Sequence, residues 1–467
     1  MKPITLQDLM TATGGMLIGG LRNPDTVITG AQSDNRKIAP GDVFYAFPGE
    51  RVDGHRFVKA ALEAGAVGAV VTKVPEDYVP GRFYLLVDDA VAAFGDLARW
   101  YRAQFHIPVI GITGSVGKTT TKDMTSAVLS QSFRTAATAG NFNNNIGLPR
   151  TVLTIEEDTG AAVIEMGMNH PGEIAYLTRI AQPTAAVITN VGEAHIGNLG
   201  SRENIFRAKS EIFEGLKDGG FAVLNGDDEY LVRLRGNPAI RERFRLIYVG
   251  EGEECDWRAA DIDDTLAEAL RFTAVTPIGT FPVTVPAIGR HMIYPALTAA
   301  AVGAQLGLSI RGIQAGIAAY VPTKMRMEIR HLPSDVVIYN DTYNANPQSM
   351  KAGLLALSKA AAGRRIAVVG DMFELGEMEE ELHREVGAFA AGLGLDALIA
   401  VGAASSFLAE EAAKCGMRDV RRCADKEAAK AEVSSLAGPD TAWLFKASRG
   451  MALEDLVQYL ETRTECG

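Results

Sequence analysis

Three things are scarce in this sequence: cysteines at metal-binding spacing, long apolar runs and net positive charge. The four cysteines (Cys255, Cys415, Cys423 and Cys466) show no C-x-x-C spacing, so they indicate neither a zinc site nor a disulfide framework. There is no run of about 18 apolar residues that could span a membrane, and the polar start MKPITLQDLM lacks the apolar core of a signal peptide. The sequence therefore predicts a cytoplasmic protein without membrane insertion.

The negative net charge argues against nucleic acids and acidic membranes as general partners. With a formal net charge of −11, the chain lacks the clustered positive charge on which general nucleic-acid and acidic-membrane binding depend. Its composition, 47% hydrophobic and 22% charged, is that of an ordinary globular enzyme. At 467 residues the chain is too long for one core, and its length alone indicates two to four domains. Because the chain as a whole is negative, an anionic ligand would have to be bound by Arg and Lys side chains and helix N-termini close to it.

The most informative stretch is IPVIGITGSVGKTTT at residues 107–121. It predicts a buried strand, a glycine-rich turn and a helix that begins near Lys118. Glycines let the backbone approach a phosphate, N–H groups at a helix N-terminus point at an anion, and Lys118 adds positive charge. The Thr119 hydroxyl can bind Mg²⁺. The stretch predicts a nucleotide site with a variant loop, because the general template requires glycine where this chain has Ile112.

Alternating strands and helices predict three α/β domains, at residues 1–106, 107–321 and 322–467. In the middle domain, near-continuous apolar strands end in polar residues at Glu165 and Asn190. Such strands, separated by helices, indicate a parallel sheet covered on both faces. Ligands bind beyond the carboxyl ends of parallel strands, so these two side chains and the glycine-rich loop are expected at one rim.

Two further patterns lie outside that rim. Residues 270–285 predict a hairpin in the middle domain. In the last domain, which reads as a smaller doubly wound sheet, polar loops at residues 339–350, 370–376 and 446–449 each follow a strand. Three polar strand ends in one domain predict a second substrate site that faces the nucleotide.

Three side chains of the middle domain allow a structural and a functional interpretation. Glu165 is either a surface carboxylate or a metal ligand, and the Thr119 hydroxyl at the same rim favours the metal. His195, in a glycine-rich loop after a strand, is either structural or part of the site. Lys209 lies on a predicted helix, where lysines are solvated by default. The polar loops of the first domain read as solvated turns on composition alone.

Seven motifs occur along the chain in a fixed order: TGSVGKTTTK, GNFNNNIGLP, IEMGMNHPGEI, NVGEAHIGNLGS, DTYNANPQSM, GDMFELGEMEEELH and KASRGMALE. In this order the sequence resembles the Mur ligases, the ATP-dependent amide ligases of peptidoglycan precursor synthesis. The motifs span all three domains. The resemblance implies a smaller N-terminal α/β domain, a central nucleotide-binding domain with a P-loop-type parallel sheet, and a C-terminal Rossmann-like domain.

The resemblance also implies a reaction. The most specific signatures, YNANP and GDMFELG, indicate UDP-N-acetylmuramoyl-tripeptide as the acid and D-alanyl-D-alanine as the amine. The tripeptide carboxylate would attack the γ-phosphate of ATP, and the amine would then attack the acyl phosphate. ATP and Mg²⁺ are the expected cofactors, and a monomer without nucleic-acid partners is the expected state. Diaminopimelate and lysine both remain open as the third residue of the tripeptide.

The resemblance also implies roles for individual residues of this sequence. Lys118, Lys209 and His195 would be catalytic, and Lys209 falls where the family carries a lysine carbamylated by CO₂. A carbamate is an anion and would suit a metal ion that an ammonium would repel. The nucleotide positions are Gly114, Ser115, Gly117, Lys118, Thr119, Thr120, Asn144, Asn145, Arg326 and Asp341. The metal positions are Thr119, Glu165 and His195. The positions for the UDP substrate are Asp34, Arg36, Asp53, Gly54 and His55, and those for the dipeptide are Asn344, Asn346 and Ser448.

The chain departs from the family pattern in two places. Asn35 stands where the family usually has the serine of Asp-Ser-Arg, which removes that serine contact. His291 is followed by Met292-Ile293-Tyr294-Pro295 where the family has His-Asn-x-x-Asn. Both asparagines are replaced, so the adenine contact is expected to differ here.

Three other functions are compatible with parts of the pattern. A ligase of the same superfamily could add an amino acid such as diaminopimelate, lysine or glutamate, although YNANP speaks against it. A P-loop switch or motor would hydrolyse nucleotide without a UDP-sugar, and the variant loop disfavours it. A non-catalytic nucleotide-binding scaffold is disfavoured by the joint presence of Lys118, Thr119, Glu165, His195 and Lys209.

Overall fold

Strands form one main sheet in each third of the chain and a small two-stranded sheet near the N-terminus. The protein is seen in a computed structural model that describes residues 1–20, 23–49, 52–265 and 268–466. Within these residues, no helix is long and apolar enough to cross a membrane.

The N-terminal third builds a five-stranded sheet with three helices. Its elements are β1 (Ile4–Thr5), α1 (Leu6–Thr13), β2 (Met16–Gly20), β3 (Val27–Ile28), β4 (Gly30–Gln32), β5 (Asp42–Tyr45), α2 (Val58–Glu63), β6 (Gly68–Val71), β7 (Phe83–Leu86) and α3 (Ala90–Arg102). The strand order is β2-β7-β6-β5-β4, in which β4 to β7 run parallel and β2 lies antiparallel at the edge. Since β4 and β5 are parallel neighbours, the loops that follow them, with Asp34 and Asp53, leave the same edge of the sheet.

The middle third builds a nine-stranded sheet that contains the predicted strand, turn and helix. Its strands are β8 (Val109–Thr113), β9 (Thr135–Ala137), β10 (Ala161–Glu165), β11 (Ala185–Ile188), β12 (Phe221–Asn225), β13 (Arg245–Gly250), β14 (Trp257–Asp263), β15 (Leu270–Thr276) and β16 (Gly279–Val285). Its helices are α4 (Lys118–Leu129), α5 (Gly147–Val152), α6 (Glu173–Ala181), α7 (Ile196–Leu199), α8 (Arg202–Ser210), α9 (Ile212–Gly215), α10 (Pro238–Arg241), α11 (Ile293–Gln305) and α12 (Ile310–Ala318).

The order of this sheet places β8, and with it the glycine-rich loop, between the parallel strands β11 and β10. The strands run β16-β15-β14-β13-β12-β11-β8-β10-β9, parallel from β9 to β14. The predicted hairpin is present as β15 and β16, and it joins the same sheet as an antiparallel edge. The parallel prediction therefore holds for seven strands, and the sheet as a whole is mixed.

Helices cover both faces of the central sheet. Along β8, Ile110 and Ile112 lie in one apolar core with Met124 of α4, whereas Val109 lies in the core on the opposite face with Leu177 of α6. This alternation follows from the two-residue period of a strand, and apolar residues on both faces are typical of parallel strands between helices. The fold thus holds the carboxyl end of β8 rigidly between two packed layers.

The C-terminal third is a six-stranded doubly wound sheet. Its elements are β17 (Glu328–Leu332), β18 (Val336–Asn340), α13 (Pro347–Ser358), β19 (Arg364–Gly370), α14 (Glu379–Ala391), β20 (Ala397–Val401), α15 (Ser405–Lys414), β21 (Val420–Cys423), α16 (Lys426–Leu436), β22 (Thr441–Lys446) and α17 (Glu454–Cys466). The order is β17-β18-β22-β19-β20-β21, parallel except for the edge strand β17. The neighbouring strands β18, β22 and β19 therefore bring the three predicted polar loops to one rim.

A buried arginine joins the first two thirds of the chain. Arg102, at the end of α3, is fully buried and donates to the carbonyl oxygens of Phe105, Ala181, Ile107 and Gln182 at 2.7, 3.0, 3.4 and 3.3 Å. Burial lowers the pKa of its guanidinium to about 10. Its hydrogen bonds satisfy carbonyls at the end of α6 that have no partner within that helix.

Candidate functional site

Two glycines shape the loop between β8 and α4. Gly114 has φ +151° and Gly117 has φ +82°, both in the region that disfavours side chains, and a Cβ on Gly114 would clash with the Thr189 hydroxyl. Asn190 fixes the loop: its carbonyl accepts from the Ser115 N–H at 3.1 Å and its Oδ1 from the Val116 N–H at 3.0 Å. The loop and Asn190 therefore meet at one rim, as the sequence predicts.

This loop opens into a cavity of about 660 Å³ between the central and C-terminal sheets, here called the cleft. From the central side the loop and the start of α4 line it, and from the C-terminal side the loop after β18 and the end of β22 do so. Of the predicted site residues, the cleft brings together Ser115, Gly117, Lys118, Thr119, Thr120, Arg326, Asp341, Asn344 and Asn346. The predicted second polar site does face the glycine-rich loop.

Two lysines lie within electrostatic reach of each other at the glycine-rich loop. The Lys118 ammonium donates to the carbonyls of Gly114 at 2.7 Å and Ser115 at 3.4 Å, and burial lowers its pKa. Lys209 is 1% exposed, and its pKa is lowered well below the ordinary value by burial and then by the charge of Lys118. The default expectation that Lys209 is solvated is therefore wrong, because α8 turns it into the protein. No ion pair of Lys209 occurs within the described part of the chain.

One buried carboxylate lies within electrostatic reach of Lys118. Glu165, at the end of β10, is 2% exposed; its Oε1 accepts from Asn143 Nδ2 at 2.8 Å, and its Oε2 meets no partner within the described residues. Its charge raises the pKa of Lys118, whereas Arg326 lowers it, so all three lie within electrostatic reach of one another. The cations Lys118 and Arg326, together with the N–H groups of the loop, suit an anionic ligand such as a triphosphate.

The site also fits a magnesium ion. An unpartnered, buried carboxylate oxygen is costly unless a cation meets it, and Glu165 Oε2 is such an atom. The Thr119 hydroxyl is 5% exposed at the start of α4. Within the described residues there is no cluster of three or more His, Cys, Asp and Glu side chains. Mg²⁺ does not need one, because it is commonly held by one or two carboxylates together with waters and substrate phosphates.

His195 lies where the central and C-terminal sheets approach each other. It has φ +64°, precedes α7, and its Nδ1 lies 2.5 Å from Oε2 of Glu374, in the loop after β19. The close contact with His195 holds the pKa of Glu374 below its usual range. His195 does not line the cleft itself.

On the C-terminal side, Lys446 is a charged residue that the sequence analysis did not assign to the site. It is 2% exposed at the end of β22, pairs with Asp341 Oδ2 at 2.5 Å and donates to the Asn344 carbonyl at 3.0 Å. Asp341 Oδ1 accepts from the Met327 N–H at 3.1 Å, which fixes the segment that carries Arg326. The sequence feature that could have identified Lys446 is its position at the end of a strand, as the first residue of the KASRG motif.

Arg326 is held over an aromatic ring. Its guanidinium carbon lies 4.1 Å from the centroid of the Tyr343 ring, which is a cation–π distance. The flanking Met325 and Met327 have φ values of +61° and +50°, a backbone conformation that costs energy in residues other than glycine. This segment presents Arg326 to the cleft.

The three residues expected near the dipeptide meet at the ends of the C-terminal strands. Asn346 Oδ1 accepts from the Ser349 N–H at 2.9 Å and caps α13, and Asn344 is exposed. Ser448 is buried; its Oγ accepts from the Phe373 N–H at 2.8 Å and donates to the Ala345 carbonyl at 3.4 Å. Ser448 thus ties the YNANP and GDMFELG loops together.

Two predicted nucleotide positions lie away from the cleft. Asn144 and Asn145 are exposed and do not line it; Asn144 Oδ1 instead accepts from the Gly147 N–H at 2.8 Å at the start of α5. Their neighbour Asn143, which the sequence analysis missed, is the residue that contacts Glu165. Three consecutive asparagines give no sequence signal that distinguishes among them.

The positions assigned to the UDP substrate form two small clusters after β4 and β5. Asp34 binds Arg36 with two hydrogen bonds of 2.9 Å, which lower the pKa of Asp34 to about 2. Asp53 Oδ1 lies 2.6 Å from His55 Nδ1, and His55 Nε2 accepts from the Thr72 N–H at 3.0 Å. A Cβ on Gly54 would lie 2.6 Å from the Phe47 carbonyl, so glycine is required there.

The end of the cleft where the family asparagines are replaced is closed by other side chains. His291, Met292, Tyr294 and Pro295 all line it. The Tyr294 hydroxyl donates to Asp227 Oδ2 at 3.0 Å, and burial, followed by the charge of Asp227, raises the tyrosine pKa. Asp227 is itself fixed by the Glu251 N–H at 2.7 Å. The residues that replace the two family asparagines therefore change the side chains that line this part of the cleft.

A buried histidine makes the loop after β19 sensitive to acid. His383 Nε2 accepts from the Met372 N–H at 3.0 Å, its Nδ1 lies 2.7 Å from the Glu379 carbonyl, and burial lowers its pKa despite that carbonyl and Asp371. The unfolded chain therefore takes up the proton first. The stabilisation is complete above the unfolded pKa of about 6.5 and is lost as the pH falls through it towards the folded pKa.

We expect thermal unfolding of the wild type to become easier between about pH 7 and pH 5, and His383→Gln to show a shallower pH dependence. His291, which lines the cleft and whose pKa is also lowered by desolvation, contributes in the same direction in both proteins. His331→Gln, at a histidine whose side chain is 58% exposed, is the matched control and should follow the wild type. Equal slopes for His383→Gln and the wild type would contradict this assignment.

Comparisons with known proteins find relatives along most of the chain. Three family models match in chain order: "Mur ligase family, catalytic domain" at residues 27–99, "Mur ligase middle domain" at 112–303, and "Mur ligase, glutamate ligase domain" at 325–449. Two full-length relatives, from Bacillus subtilis (strain 168) and Escherichia coli (strain K12), are both named UDP-N-acetylmuramoyl-tripeptide–D-alanyl-D-alanine ligase. The first is 40% identical and covers 95% of this chain and 96% of its own; the second is 37% identical and covers 97% and 98%.

Solved structures give the same result for the fold. MurF from Acinetobacter baumannii matches with a TM-score of 0.91 and 32% identity over 99% of both chains. MurF ligase from Thermotoga maritima in complex with ADP matches with a TM-score of 0.83 and 28% identity over 93% of this chain and 98% of its own.

The fold and these matches together define a three-domain α/β enzyme with a central nucleotide-binding domain. The sequence and structure matches cover all three parts of the molecule. The chain belongs to the Mur ligase family.

Proposed function

We propose that this protein joins D-alanyl-D-alanine to the terminal carboxylate of UDP-N-acetylmuramoyl-tripeptide at the expense of ATP, in peptidoglycan precursor synthesis. The observation that carries the proposal is the cleft, which is lined on one side by the glycine-rich loop and on the other by the YNANP loop. The relatives from B. subtilis and E. coli, which bear the name of this activity, supply the identity of the substrates. The predicted domain boundaries at 106/107 and 321/322 and a cytoplasmic, monomeric enzyme are part of the proposal.

In the first step, a tripeptide carboxylate oxygen bonds to the γ-phosphorus of ATP, the bond from that phosphorus to the β-bridging oxygen breaks, and ADP leaves. Negative charge on the transferring phosphoryl oxygens would be stabilised by Lys118, by Arg326 and by the N–H groups of the loop. A magnesium ion held by Thr119, Glu165 and His195 would neutralise phosphate charge. The nucleotide would contact Gly114 to Thr120 and Asp341.

In the second step the amine of the dipeptide bonds to the acyl carbon, loses a proton, and inorganic phosphate leaves. Asn344 and Asn346, which line the cleft, and Ser448, which is buried behind the same loop, would receive the dipeptide. The loops with Asp34, Arg36, Asp53, Gly54 and His55 would hold the UDP group of the other substrate. Because the cleft lies between two sheets, closure would keep water from the acyl phosphate.

An amine-substrate panel tests which ligase this is. Purified protein, ATP, Mg²⁺ and UDP-N-acetylmuramoyl-tripeptide, in diaminopimelate and lysine forms, are incubated with D-alanyl-D-alanine or with single amino acids. The proposal predicts product only with the dipeptide. Product with a free amino acid and none with the dipeptide would assign the chain to another branch of the family.

We propose further that Lys209 is carbamylated. Only an unprotonated amine bonds to CO₂, releasing a proton as the carbamate forms, and the lowered pKa of Lys209 favours the unprotonated amine. The resulting anion would offset the positive charge of Lys118 and provide oxygen atoms for a metal ion.

Carbon-13 NMR of the protein equilibrated with ¹³C-bicarbonate tests this modification. A carbamate resonance is expected in the wild type and is expected to be absent from Lys209→Arg. Lys217→Arg, at a lysine that is only partly buried, is the matched control and should retain the resonance. The same resonance in Lys209→Arg, or none in the wild type, would contradict the proposal.

A further inference from the structure

A second contact between the central and C-terminal sheets lies beside the cleft, at residues 195–197 and 374–376, here called the latch. His195 Nδ1 lies 2.5 Å from Glu374 Oε2, and the Gly197 N–H donates to the Glu374 carbonyl at 3.1 Å. The two pairs join both the side chain and the backbone of Glu374 to the loop that begins α7.

The latch has a close backbone contact at its centre. A Cβ on Gly197 would lie 2.8 Å from the Gly376 nitrogen and 2.9 Å from the Glu374 carbonyl oxygen, and a Cβ on Gly376 would lie 2.8 Å from the Gly197 Cα. Such distances leave no room for a side chain at Gly197 or at Gly376. The two segments fit only because each has glycine at the point of closest approach.

Both residues whose side chains meet in the latch have an unfavourable backbone conformation. His195 has φ +64° and Glu374 has φ +65°, in the left-handed region that non-glycine residues rarely adopt. A non-glycine residue persists in this conformation only when its surroundings fix it, and such residues concentrate at functional sites. Here the two face each other across the contact between the sheets.

Each half of the latch is fixed to its own sheet. On the C-terminal side, the Met372 N–H donates to His383 at 3.0 Å and the Phe373 N–H to Ser448 at 2.8 Å, directly before Glu374. On the central side, Asn204 Nδ2 donates to the Leu199 carbonyl at 2.7 Å, which joins α7 to α8. A contact between two rigidly held loops links the positions of the two sheets.

We propose that Glu374 is a positioning residue, which holds the C-terminal domain closed against the central domain and orients the His195 ring for metal binding. A carboxylate that accepts the Nδ1 proton leaves Nε2 as the nitrogen able to bind a metal, which is the usual arrangement behind a metal-binding histidine. The metal role of His195 rests on the proposed function, whereas the closure does not. The site would thus be complete only when the C-terminal domain is in place.

Small-angle X-ray scattering of the full chain without ligand tests closure. The wild type and Glu377→Ala, which removes an exposed neighbouring carboxylate, should share one compact radius of gyration. Glu374→Ala and Gly197→Ala should both be larger, and Glu374→Gln, which keeps an acceptor for His195, should restore the compact value. Compact scattering from both Glu374→Ala and Gly197→Ala, with circular dichroism like that of the wild type, would overturn the latch.

Calorimetric titration with ADP, with Mg²⁺ or with EDTA, tests the orientation of His195. Loss of a residue that orients a metal ligand typically weakens metal binding about tenfold or more. Glu374→Ala should therefore weaken binding of Mg²⁺–ADP about tenfold, but binding of metal-free ADP less than about twofold. Equal losses with and without Mg²⁺ would overturn the positioning role. Failure of the wild type to form ligase product, with scattering as expected, would count against the proposed function and leave the latch standing.

Discussion

Lys118→Ala is expected to lower kcat by at least about 10²–10³-fold, the typical cost of removing one preorganised group that stabilises transition-state charge. In the structure the Lys118 ammonium bridges the carbonyls of Gly114 and Ser115, within electrostatic reach of Glu165 and Arg326. It is therefore held at the mouth of the loop before any phosphate arrives. Steady-state phosphate release at saturating ATP and UDP substrate measures the loss.

The same variant should bind the UDP substrate almost normally. The loops assigned to that substrate follow β4 and β5 in the N-terminal sheet, and Lys118 contacts neither. Calorimetry with UDP-N-acetylmuramoyl-tripeptide should show a change below about twofold, less than the 1.4 kcal/mol that corresponds to tenfold. Lys324→Ala, at an exposed lysine before Arg326, is the control for activity. An affinity loss as large as the rate loss would contradict this division of roles.

Arg102→Met is expected to destabilise the protein by about 3 kcal/mol or more. The substitution keeps an apolar stem but leaves four carbonyl oxygens without their donor, and each unsatisfied buried group costs about 1–3 kcal/mol. For a unit of 150–250 residues, about 3 kcal/mol lowers the Tm by about 6–12 °C. Differential scanning calorimetry measures the first transition.

Arg99→Met is the matched control on the same helix. Arg99 is 55% exposed and pairs with Asp96 one turn earlier, an exposed ion pair worth less than about 1 kcal/mol. The Tm of the first transition of Arg99→Met should therefore stay close to that of the wild type. If Arg102→Met behaved like Arg99→Met, Arg102 would not be the residue that joins the first two sheets.

The sequence predicts the elements around the glycine-rich loop correctly, because the residues that form the loop are also the ones that give it a recognisable local pattern. The strand, glycine turn and helix around Lys118 are present, as are the hairpin after Leu270 and the convergence of three polar loops in the last domain. Apolar runs with glycine at the turn allow few other structures. Among the strands that the sequence did not predict, β14 and the edge strands β17 and β21 are half-buried, and half-buried strands mix polar and apolar residues.

The misses at the site have a common cause. Lys209 has the sequence surroundings of a solvated helix residue, yet packing buries it. Asn143 differs from Asn144 and Asn145 only in which of them the loop turns towards Glu165. The approach of Glu374 to His195, and the Asp341–Lys446 pair, depend on how distant segments pack. None of these contacts can be predicted from the spacing of neighbouring residues in the sequence.

The most direct measurement is phosphate release from ATP by the purified protein with Mg²⁺, comparing UDP-N-acetylmuramoyl-tripeptide alone, D-alanyl-D-alanine alone and both together. Mass spectrometry of the UDP-linked product accompanies it. A D-alanyl-D-alanine ligase predicts release that requires both substrates, together with a pentapeptide product. Equal release with neither substrate present would contradict it and would indicate a nucleotide hydrolase.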